Sequence, residues 1–378
     1  MRREQKITPP ENMLPYLERN ELGDAELFQT LHEQEYVFDH SREKWLRFGG
    51  VVWEDDILRC SVREVMEMAD LYASAGRRAY AYYAEQRADL QKDIATATEE
   101  QTRLEITAPL DDDTEELRRN KKRIKDKLSE LQTESDRLLR KAQNTKKAYD
   151  ERAKALRSMK RTEQVLKIAA SGAQSLGRTG KEFDTHPTLL AFANGVVDLE
   201  TGLLLRGDPG LYLSRISPYE YHGLNVPGQW WEDHLRMIFC GNEELQEFFE
   251  YSIGHSATGL QVNKHLLCAI GPHADNGKSF TFNTIKKAMG NVATTLKVDV
   301  LLEEKFRNRG PDPDIMVLDG IRMGICSEAP QNCKFSMDRI KTITGGDDVR
   351  ARGMYADSKI INSRVKLWLH TNDVPSIN

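Results

Sequence analysis

The sequence predicts a mixed α/β chain. We expect an α+β domain first, a long antiparallel helical hairpin inserted in it, and a parallel sheet near the C-terminus. Three observations predict this architecture. Apolar residues recur every seven positions in the middle of the chain, short aromatic runs bounded by turn residues flank that stretch, and three apolar runs in the last third each end in polar residues. A length of 378 residues suggests two or three domains.

The composition argues against several classes of protein. Charged residues make up 30% and hydrophobic residues 39%, which is too apolar for a disordered chain. No apolar run approaches the roughly 18 residues of a membrane span, and no signal-like stretch follows the first residues, so we expect neither a membrane protein nor a secreted one. The five cysteines are scattered without a C-x-x-C pair, which argues against a disulfide scaffold or a zinc ribbon and fits a reducing, cytoplasmic compartment.

The charge is unevenly distributed along the chain. The formal net charge is -5, yet residues 114–161 carry 17 lysines and arginines against 8 acids, so this segment has a net charge of +9. A near-neutral total therefore does not exclude nucleic acid as a partner, because binding follows the local field. A solvated helix surface is the simplest interpretation of the segment, and contact with DNA or with a neighbouring subunit are the alternatives.

The helical hairpin is predicted from two heptad series that the segment around Pro109 separates. The apolar positions are Tyr83, Leu90, Ala97 and Leu104 in the first series, and Leu117, Ile124, Leu131 and Leu138 in the second. Each series gives one helix an apolar seam, and the short break lets the second helix fold back on the first. We expect the hairpin to span about 78–171, as a coiled-coil arm inserted in an N-terminal domain over 1–227.

The regions beside the hairpin have the patterns of a globular domain. Aromatic runs over 36–40 and 44–53 predict strands, residues 62–75 a helix, and residues 189–199 two strands about the turn Asn194-Gly195. Helical patterns over 230–241 and 243–255 predict a helical linker or collar at 228–262. The remaining residues, 263–378, form the predicted parallel-sheet domain.

A glycine-containing loop in that domain predicts a phosphate-binding site. Residues 264–270 predict a buried strand, and a helical pattern follows the sequence Asn276-Gly277-Lys278-Ser279. Backbone N–H groups of such a loop surround phosphates, Lys278 would reach the β- and γ-phosphates, and Ser279 would bind Mg²⁺. The spacing departs from the usual pattern, since five residues separate Gly271 from Gly277. The candidate nucleotide-binding residues are Gly271, Asn276, Gly277, Lys278, Ser279 and Phe280.

Polar residues end the two other apolar runs. Residues 321–327 predict a strand followed by Glu328, which is where a carboxylate that holds Mg²⁺ or orients water belongs. A third predicted strand, 365–370, precedes Asn372, a candidate for sensing the γ-phosphate. The alternative is that Glu328 and Asn372 are ordinary surface residues at strand ends.

Between these two strands the sequence predicts a helix, a Gly345-Gly346 step and a β-hairpin. The helix covers about 338–344, and the hairpin begins at about 349 and continues from about 359 after a turn. Basic residues of this region could contact a phosphate backbone. The candidate DNA-binding residues are Lys341, Arg350, Arg352 and Lys359.

The ordered set of motifs resembles the superfamily 3 helicases. These are the primase–helicases of phages, plasmids and large DNA viruses. The matching segments are 276–279, 322–328, 341–352 and 367–375. Residues 183–187 and 193–202 also resemble the domain that precedes the helicase in that family. The resemblance covers nearly everything except the hairpin.

The resemblance implies an AAA+-like ATPase with a P-loop that hydrolyses ATP with Mg²⁺. Such an enzyme assembles as a hexameric ring, translocates along single-stranded DNA and unwinds duplex DNA during replication, in the host cytoplasm and beside a primase or other replication proteins. Lys278, Glu328 and Asn372 would then be the catalytic residues, with Ser279 and Glu328 at the metal.

Two departures from the family pattern shape these expectations. Family members continue past the third strand to an arginine that completes a neighbour's site, whereas this sequence stops at Asn378, so we expect a fragment, a truncated product or a subunit completed by another polypeptide. No primase acid pattern is found, so primase activity is not predicted. The rival hypotheses are a DNA-binding, ATP-binding scaffold with little turnover and a P-loop switch or packaging ATPase.

Overall fold

A computed structural model describes residues 12–107, 114–262, 264–271, 276–303, 313–327, 334–346, 348–352 and 358–372. The chain forms two compact units. The first contains residues up to Tyr36 together with 56–177, and the second contains Val37–Asp55 and the residues from Arg178 onward. The domain limits predicted from the sequence remain a prediction.

Helices form nearly all of the regular structure of the first unit where it is described. Its helices are α1 (Leu14–Glu18), α2 (Asn20–His32), α3 (Cys60–Thr107), α4 (Glu115–Leu156) and α5 (Met159–Ala169). Although α3 and α4 are long, no helix in the described parts of the chain has an apolar stretch sufficient to cross a membrane.

The two long helices α3 and α4 run antiparallel. Near one end of the pair Gly76 lies against Tyr149, and farther along Arg87 donates a hydrogen bond to Ser135 Oγ at 3.2 Å. Some of the predicted heptad residues form a buried cluster where the carboxyl-terminal part of α3 packs on the amino-terminal part of α4, as expected of an apolar seam. This cluster contains Ala97, Ile124 and Leu128, with Ile94 and Leu104 packed against them.

The helices of the hairpin are Cys60–Thr107 and Glu115–Leu156, and the span of about 78–171 for the whole arm stays a prediction. The predicted helix at 62–75 and the predicted start of the hairpin at 78 belong to one continuous helix, α3. Gly76 lies at their junction, where a side chain would come within 2.8 Å of Tyr149 Cβ, so the close packing there depends on glycine. At the other end α5 is a separate helix, because Ser158 has left the helical conformation and caps α5 by accepting a hydrogen bond from the Arg161 backbone.

A buried carboxylate joins α2, α3, α4 and α5. Asp24 is fully buried in α2 and accepts hydrogen bonds from Tyr72 at 2.7 Å, Arg152 at 2.8 Å and Arg161 at 2.6 Å. Burial, followed by the negative charge of Asp24, raises the pKa of Tyr72, so its hydroxyl remains a donor. Both guanidinium groups are largely buried, and Asp24 is the carboxylate that they share; Arg161 also forms an ion pair with Glu21.

The second unit contains four sheets and five helices in the described residues. Its strands are β1 (Tyr36–Asp39), β2 (Lys44–Phe48), β3 (Trp53–Asp55), β4 (Gly177–Arg178), β5 (Leu189–Phe192), β6 (Gly195–Asp198), β7 (Leu203–Leu205), β8 (Ile216–Ser217), β9 (Leu266–Ile270), β10 (Ala293–Leu296), β11 (Met323–Ser327), β12 (Asp348–Arg352), β13 (Ser358–Asn362) and β14 (Lys366–Thr371). Its helices are α6 (Gln229–Ile238), α7 (Glu243–Ala257), α8 (Lys278–Met289), α9 (Pro313–Met316) and α10 (Met337–Thr344).

The sheets confirm the mixed α/β class that the sequence predicted. Two four-stranded sheets have the orders β3-β2-β1-β4 and β7-β6-β5-β8. The predicted hairpin over 189–199 is present as the pair β5–β6, but Gly195 is paired with Phe192, so the turn is Ala193-Asn194 and not Asn194-Gly195. A third sheet, β10-β11-β14-β9, is parallel throughout. The predicted hairpin after Gly346 is also present, as the antiparallel pair β12–β13.

Apolar side chains cover both faces of the parallel sheet, as is usual for such sheets. One face packs on a cluster that includes Leu301, Leu318 and Ile343, and the other on a cluster that includes Phe249 and Phe282. The prediction of a buried strand over 264–270 was wrong in one respect. β9 is at the edge of the sheet, so Cys268 and Ile270 are exposed.

Three cations lie near the amino-terminal ends of the central strands. Arg322 donates to the carbonyls of Ala257 and Leu189 at 2.9 and 2.6 Å. The Arg364 guanidinium donates to the Asp184 carbonyl at 3.0 Å, and Lys366 Nζ donates to the Thr258 carbonyl at 2.6 Å. The contacts therefore attach the strand ends to the segment before β5 and to the end of α7.

Burial and neighbouring positive groups lower the pKa values of Lys366 and of the nearby His255. Burial, with smaller contributions from Arg322 and Arg364, lowers the pKa of Lys366 from 10.5 to about 7. Burial, followed by Lys366 and His265, also lowers the pKa of His255. Lys366 is therefore largely neutral in the folded chain above pH 7, and a neutral amine still has two protons for its two carbonyl acceptors.

We expect the second unit to become more stable as the pH rises from about 7 to about 10. In this range the unfolded chain protonates Lys366 and the folded chain does not, so the free energy of unfolding increases by up to about 1.4 kcal/mol per pH unit. Urea unfolding followed by tryptophan fluorescence measures this unit, since all five tryptophans lie in it. Lys366→Met should flatten the profile and the exposed Lys287→Met should not; identical profiles for wild type and Lys366→Met would contradict the assignment.

Candidate functional site

The helix α8 begins at a glycine that the local geometry requires. Gly277 has a φ of +81°, a left-handed conformation that favours glycine, and a Cβ there would lie 3.0 Å from Ile238. Lys278 is the first residue of the helix, and Ser279 and Phe280 follow in its first turn, both exposed. The free N–H groups of a helix start and its dipole favour an anion at this position.

The Lys278 ammonium group is held by three neutral oxygen atoms. It donates to the Gly271 carbonyl at 2.8 Å, to Asn276 Oδ1 at 2.9 Å and to Asn372 Oδ1 at 3.0 Å. In the parts of the chain that the structure describes, no carboxylate forms an ion pair with it. Because its partners are uncharged, the ammonium group keeps its positive charge for an anionic ligand.

Gly271 is more than a turn residue. A Cβ at this position would lie 2.3 Å from Asn276 Nδ2 and 3.0 Å from Lys278 Nζ, so a larger residue would displace both groups. The two described ends of the loop, Gly271 and Asn276, therefore both contact the lysine. Residues 272–275, which include Pro272, lie outside the described residues.

Strand order explains why Asn372 reaches the loop. β14 lies between β9 and β11, Thr371 is paired with Ile270, and the Gly271 amide donates to the Thr371 carbonyl at 3.2 Å. The residue after Thr371 and the start of the loop therefore meet at the carboxyl edge of the parallel sheet. Open α/β sheets bind ligands at this edge.

The other predicted catalytic residue follows a strand that ends at the same edge. Ser327 in β11 is paired with His370 in β14, one residue before Thr371. Glu328 comes directly after Ser327 and itself lies outside the described residues. The described residues contain no group of three potential metal-ligating side chains.

An aromatic cluster lies beside the loop, and the sequence did not indicate it. Trp230 stacks on His234 with an interplanar angle of 8°, and the Phe280 ring contacts both. His234 Nε2 is also 2.8 Å from Thr281 Oγ1, which links α6 to the first turns of α8. Trp230 is 62% exposed and Phe280 51%, so open aromatic surface adjoins Lys278 and Ser279.

The candidate DNA-binding residues lie in a different part of the unit. Lys341 is exposed on α10, whose end contacts Gln261, and Gln261 also donates to the Val365 carbonyl just before β14. The pair β12–β13 leads into the same end of β14, and its register places Arg350 opposite Ile360, Ala351 opposite Lys359 and Arg352 opposite Ser358. These elements thus adjoin the amino-terminal end of β14, opposite the edge that holds Lys278.

Comparison with known proteins identifies the family. The family described as D5 N terminal like matches residues 25–240, more than half of the chain. The chain belongs to this D5 N-terminal-like family.

Viral relatives show the same relationship at low identity. "Putative helicase L207/L206" of Acanthamoeba polyphaga mimivirus is 24% identical over 200 residues, which cover 52% of this chain and 21% of that protein. "Primase D5" of Fowlpox virus is 28% identical over 207 residues, covering 51% of this chain and 26% of that protein. With the family match, these relatives confirm the resemblance to superfamily 3 primase–helicases. The chain spans only about a fifth to a quarter of their length.

Among solved structures, the apo NrS-1 C-terminal region has a TM-score of 0.30 and 13% identity, covering 41% of this chain and 35% of that one.

The D5 N-terminal-like match includes both long helices and α6, with Trp230 and His234. It ends before Gly271. The candidate phosphate-binding loop and Asn372 therefore lie outside the family match, and the assignment of this site depends on its geometry alone.

Proposed function

We propose that this chain is an ATP-hydrolysing DNA helicase of superfamily 3. The observation that carries the proposal is the Lys278 ammonium group at the carboxyl edge of a parallel sheet, held between the loop that starts at Gly271 and the sensor candidate Asn372. The names of the viral relatives, helicase and primase, agree with this class of activity.

The residues at the edge fit a nucleoside triphosphate with Mg²⁺. Lys278 would bind the β- and γ-phosphates, the N–H groups at the start of α8 would surround them, and the exposed Ser279 hydroxyl would bind the metal ion. Glu328 would hold the metal or orient the attacking water. Asn372, which already contacts Lys278, would couple the γ-phosphate to β14.

The exposed aromatic surface suits the base of the same nucleotide. Phe280 immediately follows Ser279, and Trp230 contacts the Phe280 ring from α6. Stacking of a base on an aromatic side chain contributes about 1–3 kcal/mol in nucleic-acid complexes, and it tolerates different bases. Nucleotide binding would thereby bring α6 and α8 into one site.

DNA would be contacted elsewhere in a ring-shaped oligomer. Lys341 and the strands that carry Arg350, Arg352 and Lys359 are the candidates for this contact. They lead into the amino-terminal end of β14, whose other end carries Asn372. A shift of β14 on nucleotide binding would therefore connect the two regions.

The test is ATP hydrolysis by the purified chain with and without single-stranded DNA, combined with sizing in ATP. We expect hydrolysis that single-stranded DNA stimulates. Binding of nucleotide and DNA without turnover would indicate a scaffold, and turnover indifferent to DNA would indicate a switch or packaging ATPase. Either outcome would overturn the helicase proposal.

A further inference from the structure

The amino-terminal part of α4 has a higher density of positive charge than the rest of the helix. Residues 118–127, called the basic segment below, contain seven lysines and arginines and a single acid, Asp126. The other residues of 114–161 hold ten basic and seven acidic residues, which nearly balance. The net charge of this region therefore resides largely in about three turns of helix.

The basic side chains of the segment are open to solvent. Ile124 is the one buried residue among its ten, packed into the seam with α3, and all seven basic residues are exposed. Among the described residues, no ion pair involves Lys121, Lys122 or Lys125. The charge of these lysines is therefore not cancelled by a neighbouring carboxylate.

Two other adjacent lysines of α4, unlike those of the basic segment, lie close to carboxylates. Lys146 forms an ion pair with Asp150 at 2.6 Å, and Lys147 is 3.9 Å from Glu151, each partner four residues along the helix. Such pairs are the usual pattern of a solvated helix surface. At this spacing Lys121 is followed by Lys125 and not by an acid, whereas Lys122 is followed by Asp126 but forms no ion pair with it among the described residues.

The dimensions of the segment match a nucleic-acid backbone. Ten residues of α-helix extend about 13.5 Å, and duplex DNA carries about eight phosphates over that length of its axis. The segment has a net charge of +6. Helical spacing puts Arg118, Lys122 and Lys125 on one face, with Arg123 beside them, so several charges can face one backbone together. Arg119 also lies beside this face, where it forms an ion pair with Glu115 at 2.6 Å.

The residue types that the basic segment lacks narrow the class of partner that it can bind. The ten residues contain no aromatic side chain for stacking on unpaired bases or for anchoring a protein interface. Their only apolar residue, Ile124, is buried in the seam, whereas a helix that lies on a membrane exposes apolar residues beside its lysines. Repeated cations without apolar or aromatic contacts suit the phosphates of a duplex.

We propose that the basic segment binds the phosphate backbone of duplex DNA without sequence preference. This contact is independent of the nucleotide site and of the DNA candidates Lys341 and β12–β13. It gives the hairpin the role of holding a helicase on unopened duplex.

The experiment measures binding of the full chain to a labelled, mixed-sequence duplex by fluorescence anisotropy, without nucleotide, from about 50 to about 200 mM salt. Lys121→Gln/Lys122→Gln is compared with Lys146→Gln/Lys147→Gln. Each double variant replaces two adjacent lysines of α4, so the two variants lose the same number of positive charges. Circular dichroism checks that both keep their helices, which glutamine favours about as well as lysine.

We expect the variant of the basic segment to bind about tenfold more weakly near 100 mM salt. The negative slope of log affinity against log salt concentration should become less steep by about 1.8, which is about 0.9 for each of the two lost phosphate contacts. The Lys146/Lys147 variant should bind like wild type, and ATP hydrolysis without DNA should be equal in all three proteins. Unchanged affinity in the first variant, equal loss in both, or no duplex binding by wild type would overturn the proposal.

Discussion

Replacing Lys278 with alanine is expected to lower the rate of ATP hydrolysis by at least about 10²–10³-fold, the usual cost of removing one group that stabilises developing charge. The substitution removes the ammonium group placed among Gly271, Asn276 and Asn372, and no side chain of the hydrophobic core. Steady-state phosphate release with Mg-ATP measures the rate, and equilibrium nucleotide binding shows how much of the loss arises from the ground state.

Lys287→Ala is the matched control for this variant. Lys287 is exposed in the last turn of α8, the helix that Lys278 begins, so the control removes an equal charge at the opposite end. Its hydrolysis rate should equal that of wild type. If Lys278→Ala hydrolyses ATP at the wild-type rate, the loop is not the nucleotide site, and the proposed function loses the observation that carries it.

Replacing Asp24 with alanine is expected to destabilise the helical unit by about 3–5 kcal/mol. The variant leaves the largely buried Arg152 without its carboxylate partner and Arg161 with Glu21 alone, and an uncompensated buried charge is costly. Urea unfolding followed by circular dichroism at the helical band measures the effect. The helical unit contains no tryptophan, so fluorescence follows the other unit independently.

An exposed ion pair in the same unit provides the comparison. Glu67 accepts a hydrogen bond from Arg63 at 2.8 Å on the surface of α3, and surface pairs of this kind contribute less than about 1 kcal/mol. Glu67→Ala should therefore shift the helical transition only slightly. Equal shifts for Asp24→Ala and Glu67→Ala would mean that the buried network does not hold the helices together.

The network also changes how the hairpin can be shortened. The heptad seams by themselves predict that a linker could replace residues from about 86 to about 155, because the apolar residues of the two helices are buried against each other. Arg152, within that span, contacts Asp24 across 128 residues of sequence. Such a replacement would remove one of the two arginines that neutralise Asp24.

Much of the candidate site was predictable because its signals are local. Gly277 is required by its own backbone conformation, and Lys278 and Ser279 follow it at the start of a helix. Trp230 and His234 were missed because an aromatic pair in a helix usually packs into a core. Only the position of α6 beside α8 gives these rings an exposed surface next to the loop.

The sequence by itself determined the elements whose causes lie within a few residues. These are the heptad seams, the β-hairpin about Asn194, the loop before α8 and the dense charge of residues 118–127. Tertiary structure alone decided which distant residues meet. The position of β14 between β9 and β11 brings Asn372 to Lys278, and the packing of four helices encloses Asp24 with two arginines. The reason is physical: turn chemistry and periodicity act between chain neighbours, whereas strand order and buried charge pairs are set by packing among segments far apart in sequence.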